Sequence, residues 1–486
     1  MRQYLLNKSH LAAMDLVESA HVRVLSRGED IVSKTLAIKS KRLVTPEGIK
    51  EGCLLIKDGI VQEIARIDAA PGGWEVVDAG DSVVMPGLVD SHVHLNEPGR
   101  TEWEGFETGS RAAAAGGITT IADMPLNSNP VTTTLDALEQ KLEAASKKLH
   151  VDCAFYGGVI PGNASSLEPL IQAGVRGFKC FLIHSGIDDF PNVTEEDLNL
   201  AMPILARHNM PLLVHAELEC ADSHPPEWGD RCDSYEAFLH SRPRRWENDA
   251  IDMMIALSRK HKCPVHIVHL SSSDAIPAIK KARAEGLQFT VETCPHYLTF
   301  AAEEIEDGDP RFKCAPPIRE KENREKLWQA VMDGTIDFVV SDHSPCTPAL
   351  KFLQEGNLQK AWGGISSLQF VLPAVWTQAQ KHGATIFDIA RKVSAEPAKF
   401  LGLSGKKGTF AKGADGDVVI WNPEQPTKIH SEMIEHRHKV TPYDGRQLMG
   451  RIEKTFVRGN LVFNDGVVTP QPTGQMLLRE RVESKK

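Results

Sequence analysis

The stretch that decides the fold runs from Val83 to Arg100 and reads VVMPGLVDSHVHLNEPGR. It begins as a nearly continuous apolar run, which is typical of a strand buried on both faces. Two histidines, His92 and His94, stand near the end of this run. Because side chains two residues apart on a strand point to the same side, both imidazoles are expected to face one site. Such a pair can form one edge of a metal site, but by itself it is weak evidence, since loop histidines give the same pattern.

Outward from this stretch, the middle of the chain alternates between strand-like and helix-like segments. Counting from Val83, eight strands are predicted, and each but the last is followed by a helix before the next strand. The later strands are predicted at 117–125, 152–158, 177–183, 211–215, 264–269, 289–293 and 336–341. Eight βα units over roughly 250 to 300 residues favour an α/β fold of the (β/α)8 TIM barrel type over an open doubly wound sheet.

Both ends of the chain have a different texture, with short strand-like segments and turns. Residues 36–84 contain a hairpin turn at Asp58-Gly59, and similar segments return at 408–422 and 454–463. These two pieces are expected to form one small β domain. The predicted division is an N-terminal extension at 1–34, a small β domain from 35–84 plus 400–466, a barrel at 85–399 and a C-terminal tail at 467–486.

Composition narrows the class of protein. The 486 residues include 55 basic and 65 acidic residues, a formal net charge of -10, which argues against a nucleic-acid partner. No apolar run approaches the roughly 20 residues needed to cross a bilayer, so no membrane association is expected. The nine cysteines form no C-x-x-C pair and are predicted to be reduced thiols in a reducing compartment. We therefore expect a cytoplasmic protein, while a mitochondrial or peroxisomal location stays open.

A barrel prediction makes a further test possible, because the chemistry of such barrels sits where the strands end. Residues able to bind a metal do fall there: His92 and His94 after strand one, His215 after strand five, His269 after strand six and Asp342 after strand eight, with Lys179 in strand four. Each of them alone has an ordinary structural interpretation, such as a buried histidine or a capping aspartate. Their joint placement at strand ends favours a metal site.

Lys179 needs a separate argument, because an ammonium group repels a divalent metal. Burial lowers the pKa of a lysine and gives a neutral, nucleophilic amine. If that amine takes up carbon dioxide, it becomes an anionic carbamate with two oxygens. Such a group could bridge two metals in the way a glutamate would.

Five segments carry a resemblance to a known family: DSHVHLNEPGR, GFKCFL, LLVHAE, VHIVHLSS and VSDHSP. In this order they resemble the motifs of the cyclic-amide branch of the amidohydrolase superfamily, which holds dihydroorotases, hydantoinases (dihydropyrimidinases) and allantoinases. The likeness covers roughly residues 36–463. It implies a distorted (β/α)8 barrel with a small β-sandwich formed from N- and C-terminal segments, and a homotetramer. It also implies two divalent metal ions, with zinc expected, held by His92, His94, Lys179 as N6-carboxylysine, His215, His269 and Asp342.

The residue after the H-x-H-L motif bears on the substrate. Dihydroorotases carry an arginine there for the substrate carboxylate and hydantoinases tend to carry an aspartate, whereas this chain has Asn96. The segments HLNEPGR, DMPLNSNP and WGGISSLQ resemble allantoinases most. Allantoin is a neutral ring with a ureido arm, and Asn96, Asn127 and Ser344 are predicted to contact it. Asn96 and Asn127 also have a purely structural interpretation as polar loop residues that stabilise turns.

The resemblance therefore implies hydrolysis of (S)-allantoin to allantoate, a step in purine degradation, with Asp342 carrying the proton from the attacking water to the leaving ring nitrogen. Two alternatives stay open. One is a hydantoinase or dihydropyrimidinase. The other is a non-catalytic scaffold like some dihydropyrimidinase-like proteins, although such relatives lose metal ligands and all six are present here.

Overall fold

The structure, a computed structural model, describes residues 33–220, 228 and 230–480. The described residues from Thr35 onwards belong to one compact unit. The predicted N-terminal extension lies outside the described residues except for its last two, and so do residues 481–486 of the predicted C-terminal tail. Within the described part, no helix is both long and apolar enough to span a membrane, and no disulfide forms.

The described residues contain eighteen strands and twelve α-helices. The strands are β1 Thr35–Thr45, β2 Gly48–Lys57, β3 Ile60–Ala65, β4 Glu75–Asp78, β5 Val83–Pro86, β6 Leu88–Val93, β7 Ile118–Asp123, β8 Asp152–Phe155, β9 Gly157–Gly158, β10 Phe178–Phe181, β11 Leu212–His215, β12 Val265–Ile267, β13 Phe289–Thr293, β14 Phe338–Val339, β15 Val418–Lys428, β16 Gln447–Val457, β17 Asn460–Asn464 and β18 Val467–Val468. The helices are α1 Phe106–Ala115, α2 Leu135–Ala145, α3 Ala164–Gln172, α4 Glu195–Arg207, α5 Tyr235–Ser241, α6 Arg244–His261, α7 Ile276–Ala284, α8 Pro295–Thr299, α9 Lys321–Met332, α10 Val371–Ala379, α11 Ile386–Ala390 and α12 Glu396–Phe400.

The middle strands form the predicted barrel, a distorted (β/α)8 fold. Strands β6 to β8 make one parallel sheet and β9 to β14 make another. A parallel bridge between Val93 and His343 joins the sheets on one side, and Tyr156 connects β8 to β9 on the other. Because all these strands run in the same direction, their carboxyl ends meet at one rim, where the predicted site lies.

Strands from both ends of the described chain form the small β-sandwich domain, as predicted. Nine strands pair in the order β18-β17-β16-β15-β5-β1-β2-β3, with β4 on β1. The opening apolar run differs from the prediction, because it is two strands in different sheets: β5 pairs with β1 and β15, while β6 begins the barrel. The break falls at Gly87, where a Cβ atom would lie 2.2 Å from the side chain of Thr119. Only glycine allows this close approach.

A buried charge cluster ties the barrel strand β8 to the segment that leads into β15. The Lys407 ammonium lies 2.5 Å from Asp152, 2.8 Å from Asp415 and 2.7 Å from Asp417. The three carboxylates are close enough together to hold a metal ion. The Lys407 ammonium already lies among them and Arg458 also pairs with Asp152, so we interpret this cluster as structural.

Residues beyond the last strand also pack on the barrel. The Cys153 amide donates to the Gln475 carbonyl, and the Leu477 amide donates to the Cys153 carbonyl, each at 2.8 Å. Part of the segment predicted as a tail therefore extends the edge of β8.

Candidate metal centre

The six predicted metal ligands line one cavity of about 280 Å³ at the carboxyl rim of the barrel. Five strands supply them: β6 carries two of the ligands, and β10, β11, β12 and β14 carry one each, within the strand or in the few residues after it. All six side chains are buried, with exposed fractions between 0 and 6% (His92, His94, Lys179, His215, His269 and Asp342). The structure thus brings together every residue that the strand-end argument selected.

One half of the site is formed by His92, His94 and Asp342. The Asp342 Oδ1 atom lies 3.2 Å from His92 Nε2 and 3.6 Å from His94 Nε2. These three side chains have ligand atoms within 4.8 Å of one another, a spacing that a single metal ion can satisfy.

The other half is formed by His215 and His269, with Lys179 on the adjacent strand. The His215 Nδ1 and His269 Nε2 atoms lie 3.0 Å apart. Lys179 Nζ is completely buried and has no hydrogen-bond partner among the described residues. It lies 4.9 Å from the centre of the Phe181 ring. A buried amine without a partner is costly, which indicates that a further group belongs at this position.

The electrostatics of the site also suit metal binding. Burial lowers the pKa of His94 to about 4 and the pKa of His269 well below its usual value, so both imidazoles are neutral and carry a free lone pair. Burial opposes ionisation of Asp342, but His92 and its neighbours outweigh burial and lower the pKa of this carboxyl. Burial lowers the pKa of Lys179 to about 8, so about one tenth of the amine is neutral at pH 7. Neutral imidazoles, a carboxylate and a reactive amine fit a pair of divalent cations.

Two buried glutamates that the sequence analysis missed orient the histidines. Glu292 accepts a hydrogen bond from His92 Nδ1 at 2.5 Å and another from His266 Nε2 at 3.0 Å. Glu217 accepts from His215 Nε2 at 2.7 Å and from Arg242 at 2.6 Å. Each contact fixes the proton on the outer nitrogen, so the lone pair of the inner nitrogen faces the cavity. A sequence signal existed for both, because Glu217 follows His215 by two residues and Glu292 lies near the end of strand seven.

A further group lies on the far side of Asp342. Cys294 and His296 have potential ligand atoms within 4.8 Å of Asp342 and of each other. Burial raises the pKa of the Cys294 thiol well above its usual value, so this thiol stays protonated and is a poor ligand. His296 is buried, and both its ring nitrogens are unpartnered as far as the structure is described.

The predicted substrate residues occupy different positions. Asn127 and Ser344 line the cavity, and Asn127 Nδ2 lies 3.4 Å from His94 Nδ1. Asn96 is not among the described residues that line the cavity; its amide donates to the Pro345 carbonyl at 3.4 Å. Both asparagines have a positive φ, and both Oδ1 atoms are buried with no partner among the described residues.

Other residues that line the cavity were not predicted. They combine aromatic rings with basic groups: Phe181, His184, Phe238, Arg242, Lys313, Lys360 and Trp362. Phe181 ends β10 but carries no metal-binding group, and the others come from loops and helices that no strand-end pattern selects.

Comparisons with known proteins agree with this architecture. The profile of the amidohydrolase family matches residues 83–462. An allantoinase from Streptomyces avermitilis is 47% identical over 451 residues, which covers 92% of this chain and 99% of the relative. An allantoinase from Arabidopsis thaliana is 46% identical, with 91% of this chain and 90% of the relative covered. Among solved structures, the L-hydantoinase (dihydropyrimidinase) from Arthrobacter aurescens superimposes with a TM-score of 0.85 at 32% identity, covering 91% of this chain and 99% of that chain.

Proposed function

Because this chain belongs to the amidohydrolase family, we propose that it hydrolyses the ring amide of (S)-allantoin to give allantoate, a step of purine degradation. The observation that carries the choice of substrate is the similarity to curated allantoinases along nearly the whole chain. The cavity supports it, since it is lined by neutral polar side chains such as Asn127 and Ser344 beside the six potential ligands.

We further propose that two divalent cations, most simply zinc, are held by His92, His94, Lys179, His215, His269 and Asp342. The support is the donor set and the unpartnered Lys179 amine. Carbon dioxide would form an N–C bond at Nζ with loss of one proton, which turns the amine into an anionic carbamate. When bound, the cations would supply Lewis-acid polarisation of the ring carbonyl and of the attacking water.

The protein's own groups perform the remaining tasks. Asp342 is ionised and faces the cavity, so it can accept the proton of the attacking water and pass it to the ring nitrogen as the C–N bond breaks. Asn127 and Ser344 offer amide and hydroxyl groups to the ureido arm. Phe181, Phe238 and Trp362 bury the apolar face of the ring and exclude bulk water.

A panel of substrates tests the proposal, with metal content measured on the same samples. Allantoin, hydantoin, dihydrouracil and dihydroorotate would be compared by kcat/KM, and Asp342→Asn would serve as the inactive control. We expect allantoin to exceed each of the others by about tenfold or more, which corresponds to about 1.4 kcal/mol of discrimination. Faster turnover of hydantoin or dihydrouracil would instead identify a hydantoinase, the function of the structural relative. Absence of metal and of all turnover would identify a scaffold.

Two further properties are proposed with the activity. We propose a homotetramer, as the family resemblance implies, and light scattering coupled to size-exclusion chromatography would measure the mass. We also propose a cytoplasmic location, which agrees with the absence of disulfides in the described part of the chain. Other reducing compartments satisfy the same observation, so cell fractionation is the test.

A further inference from the structure

Lys351 is a buried lysine behind one wall of the cavity. It ends the 3₁₀ turn Pro348–Lys351, and only 5% of its surface is exposed. No acidic side chain pairs with it in the part of the chain that the structure describes. Its Nζ atom is instead surrounded by four backbone carbonyl oxygens: Pro310 at 3.4 Å, Lys313 at 3.3 Å, Trp362 at 2.9 Å and Gly364 at 2.5 Å.

The four carbonyls belong to two segments, residues 310–316 and 359–365, which we call the cavity wall. Lys313, Ala315, Ala361, Trp362 and Gly363 from these segments line the cavity. The segments also contact each other directly, because the Gly364 amide donates to the Lys313 carbonyl at 2.9 Å. Lys351 therefore joins both halves of the wall from behind.

Four converging carbonyl oxygens repel one another unless a positive charge lies between them. This arrangement is the oxygen cage that proteins offer to a hard cation. An ammonium group fits it, since it supplies one full charge and three donors. Burial lowers the pKa of the Lys351 amine, and the nearby Cys346, Cys314 and Asp309 oppose this shift. The surrounding carbonyl dipoles also favour the charged form.

The wall in turn fixes a residue of the catalytic rim. The Ser344 amide donates to the Ile365 carbonyl at 3.0 Å. Gly364 packs so closely on Ser344 that a Cβ atom at Gly364 would lie 2.2 Å from the Ser344 carbonyl oxygen. A shift of Gly364 towards Ser344 would therefore displace Ser344, which lies two residues after Asp342.

We propose that Lys351 is a positioning residue whose tethered ammonium takes the place of a structural monovalent cation and holds the cavity wall in the shape that receives the substrate. The residue acts through Gly364 and Trp362 and does not contact the reacting atoms. Its effect on turnover rests on the proposed function, but the occupancy of the cage by a cation does not.

The first test removes the charge and keeps the volume. Lys351→Met is expected to raise KM for allantoin about tenfold or more while kcat falls less, because displacement of a wall by about 1 Å weakens substrate placement. Lys412→Met, which changes an exposed lysine, is the matched control and should leave both constants unchanged. Values of KM within twofold of the wild type in Lys351→Met would overturn the proposal.

The second test needs no substrate. Lys351→Ala retains Cβ, so n-propylammonium supplies the missing methylenes and the charge. The amine is expected to raise the Tm of this variant by several degrees and to leave the Tm of the wild type unchanged. The uncharged analogue n-propanol should change neither Tm. If the variant folds poorly, its yield of folded protein should rise with the amine. No change in Tm or yield on adding the amine would refute the cage, whatever the enzyme hydrolyses.

Discussion

The Nδ1 atom of His215 lies 3.0 Å from the Nε2 atom of His269, although 54 residues separate them along the chain. They meet because β11 and β12 pair in parallel, with Val214 opposite Ile267, so that both strands end at the same level. Glu217 accepts a hydrogen bond from the outer nitrogen of His215. The inner nitrogen of His215 is thereby kept free of its proton, and the facing nitrogen of His269 lies close enough for both to bind one metal ion.

Replacing Lys179 should remove metal and activity together. In Lys179→Ala no carbamate can form, so we expect the metal content to fall by about one ion or more per chain and kcat/KM to fall at least about 100-fold. Elemental analysis and the allantoin assay measure the two effects. Added acetate or propionate should restore part of both, and Lys179→Glu, which carries a permanent carboxylate, should retain more metal than the alanine variant. A Lys179→Ala enzyme that keeps its metal and its activity would refute the carbamate.

Glu292 is expected to control metal affinity without contacting the metal. Its carboxylate lies between His92 and His266, and Glu292→Gln keeps the size but removes the charge that fixes the His92 proton. We predict about a 10- to 100-fold loss of metal affinity, measured by competition with a chelator. Glu139→Gln, on the exposed face of α2, is the control. Equal affinities in both variants would show that Glu292 is only structural.

Asn127 should affect substrate binding more than folding. Its φ of 63° is accessible to glycine without strain, so Asn127→Gly removes the amide and keeps the backbone. We expect KM for allantoin to rise about tenfold, the equivalent of about 1.4 kcal/mol, with little change in Tm. Asn127→Ala should be less stable than Asn127→Gly by about 1 kcal/mol, because its Cβ is unfavourable at positive φ. An unchanged KM in the glycine variant would contradict the predicted substrate contact.

The buried His436 should make the free energy of unfolding depend on pH. Burial lowers the pKa of this histidine from 6.5 to about 3, and neither ring nitrogen has a partner in the described residues. Between these two pH values the unfolded chain binds a proton that the folded chain does not. The stability that neutral His436 contributes is therefore complete above pH 6.5 and decreases as the pH falls towards 3, by at most about 1.4 kcal/mol per pH unit.

His436→Leu should reduce this dependence. Denaturant unfolding at several pH values below 6.5 would give the slope for both proteins, and His430→Leu, at an exposed position, serves as the control. Identical slopes in wild type and His436→Leu would mean that other groups cause the acid sensitivity.

The sequence by itself determined the order of the barrel strands and the six candidate ligands. The strands predicted at 211–215 and 289–293, for example, lie at Leu212–His215 and Phe289–Thr293. These features were predictable because they depend on local sequence: the spacing of apolar residues differs between strands and helices over a few neighbouring residues. In addition, the parallel strands of a barrel end at a common rim.

Only the tertiary structure decided what surrounds those ligands. The break at Gly87, the orienting carboxylates of Glu217 and Glu292, and the carbonyl cage around Lys351 all depend on contacts between segments far apart in sequence. In a sequence, a glutamate or lysine is expected to lie on the surface. Whether it is buried and desolvated depends on what the rest of the chain packs against it.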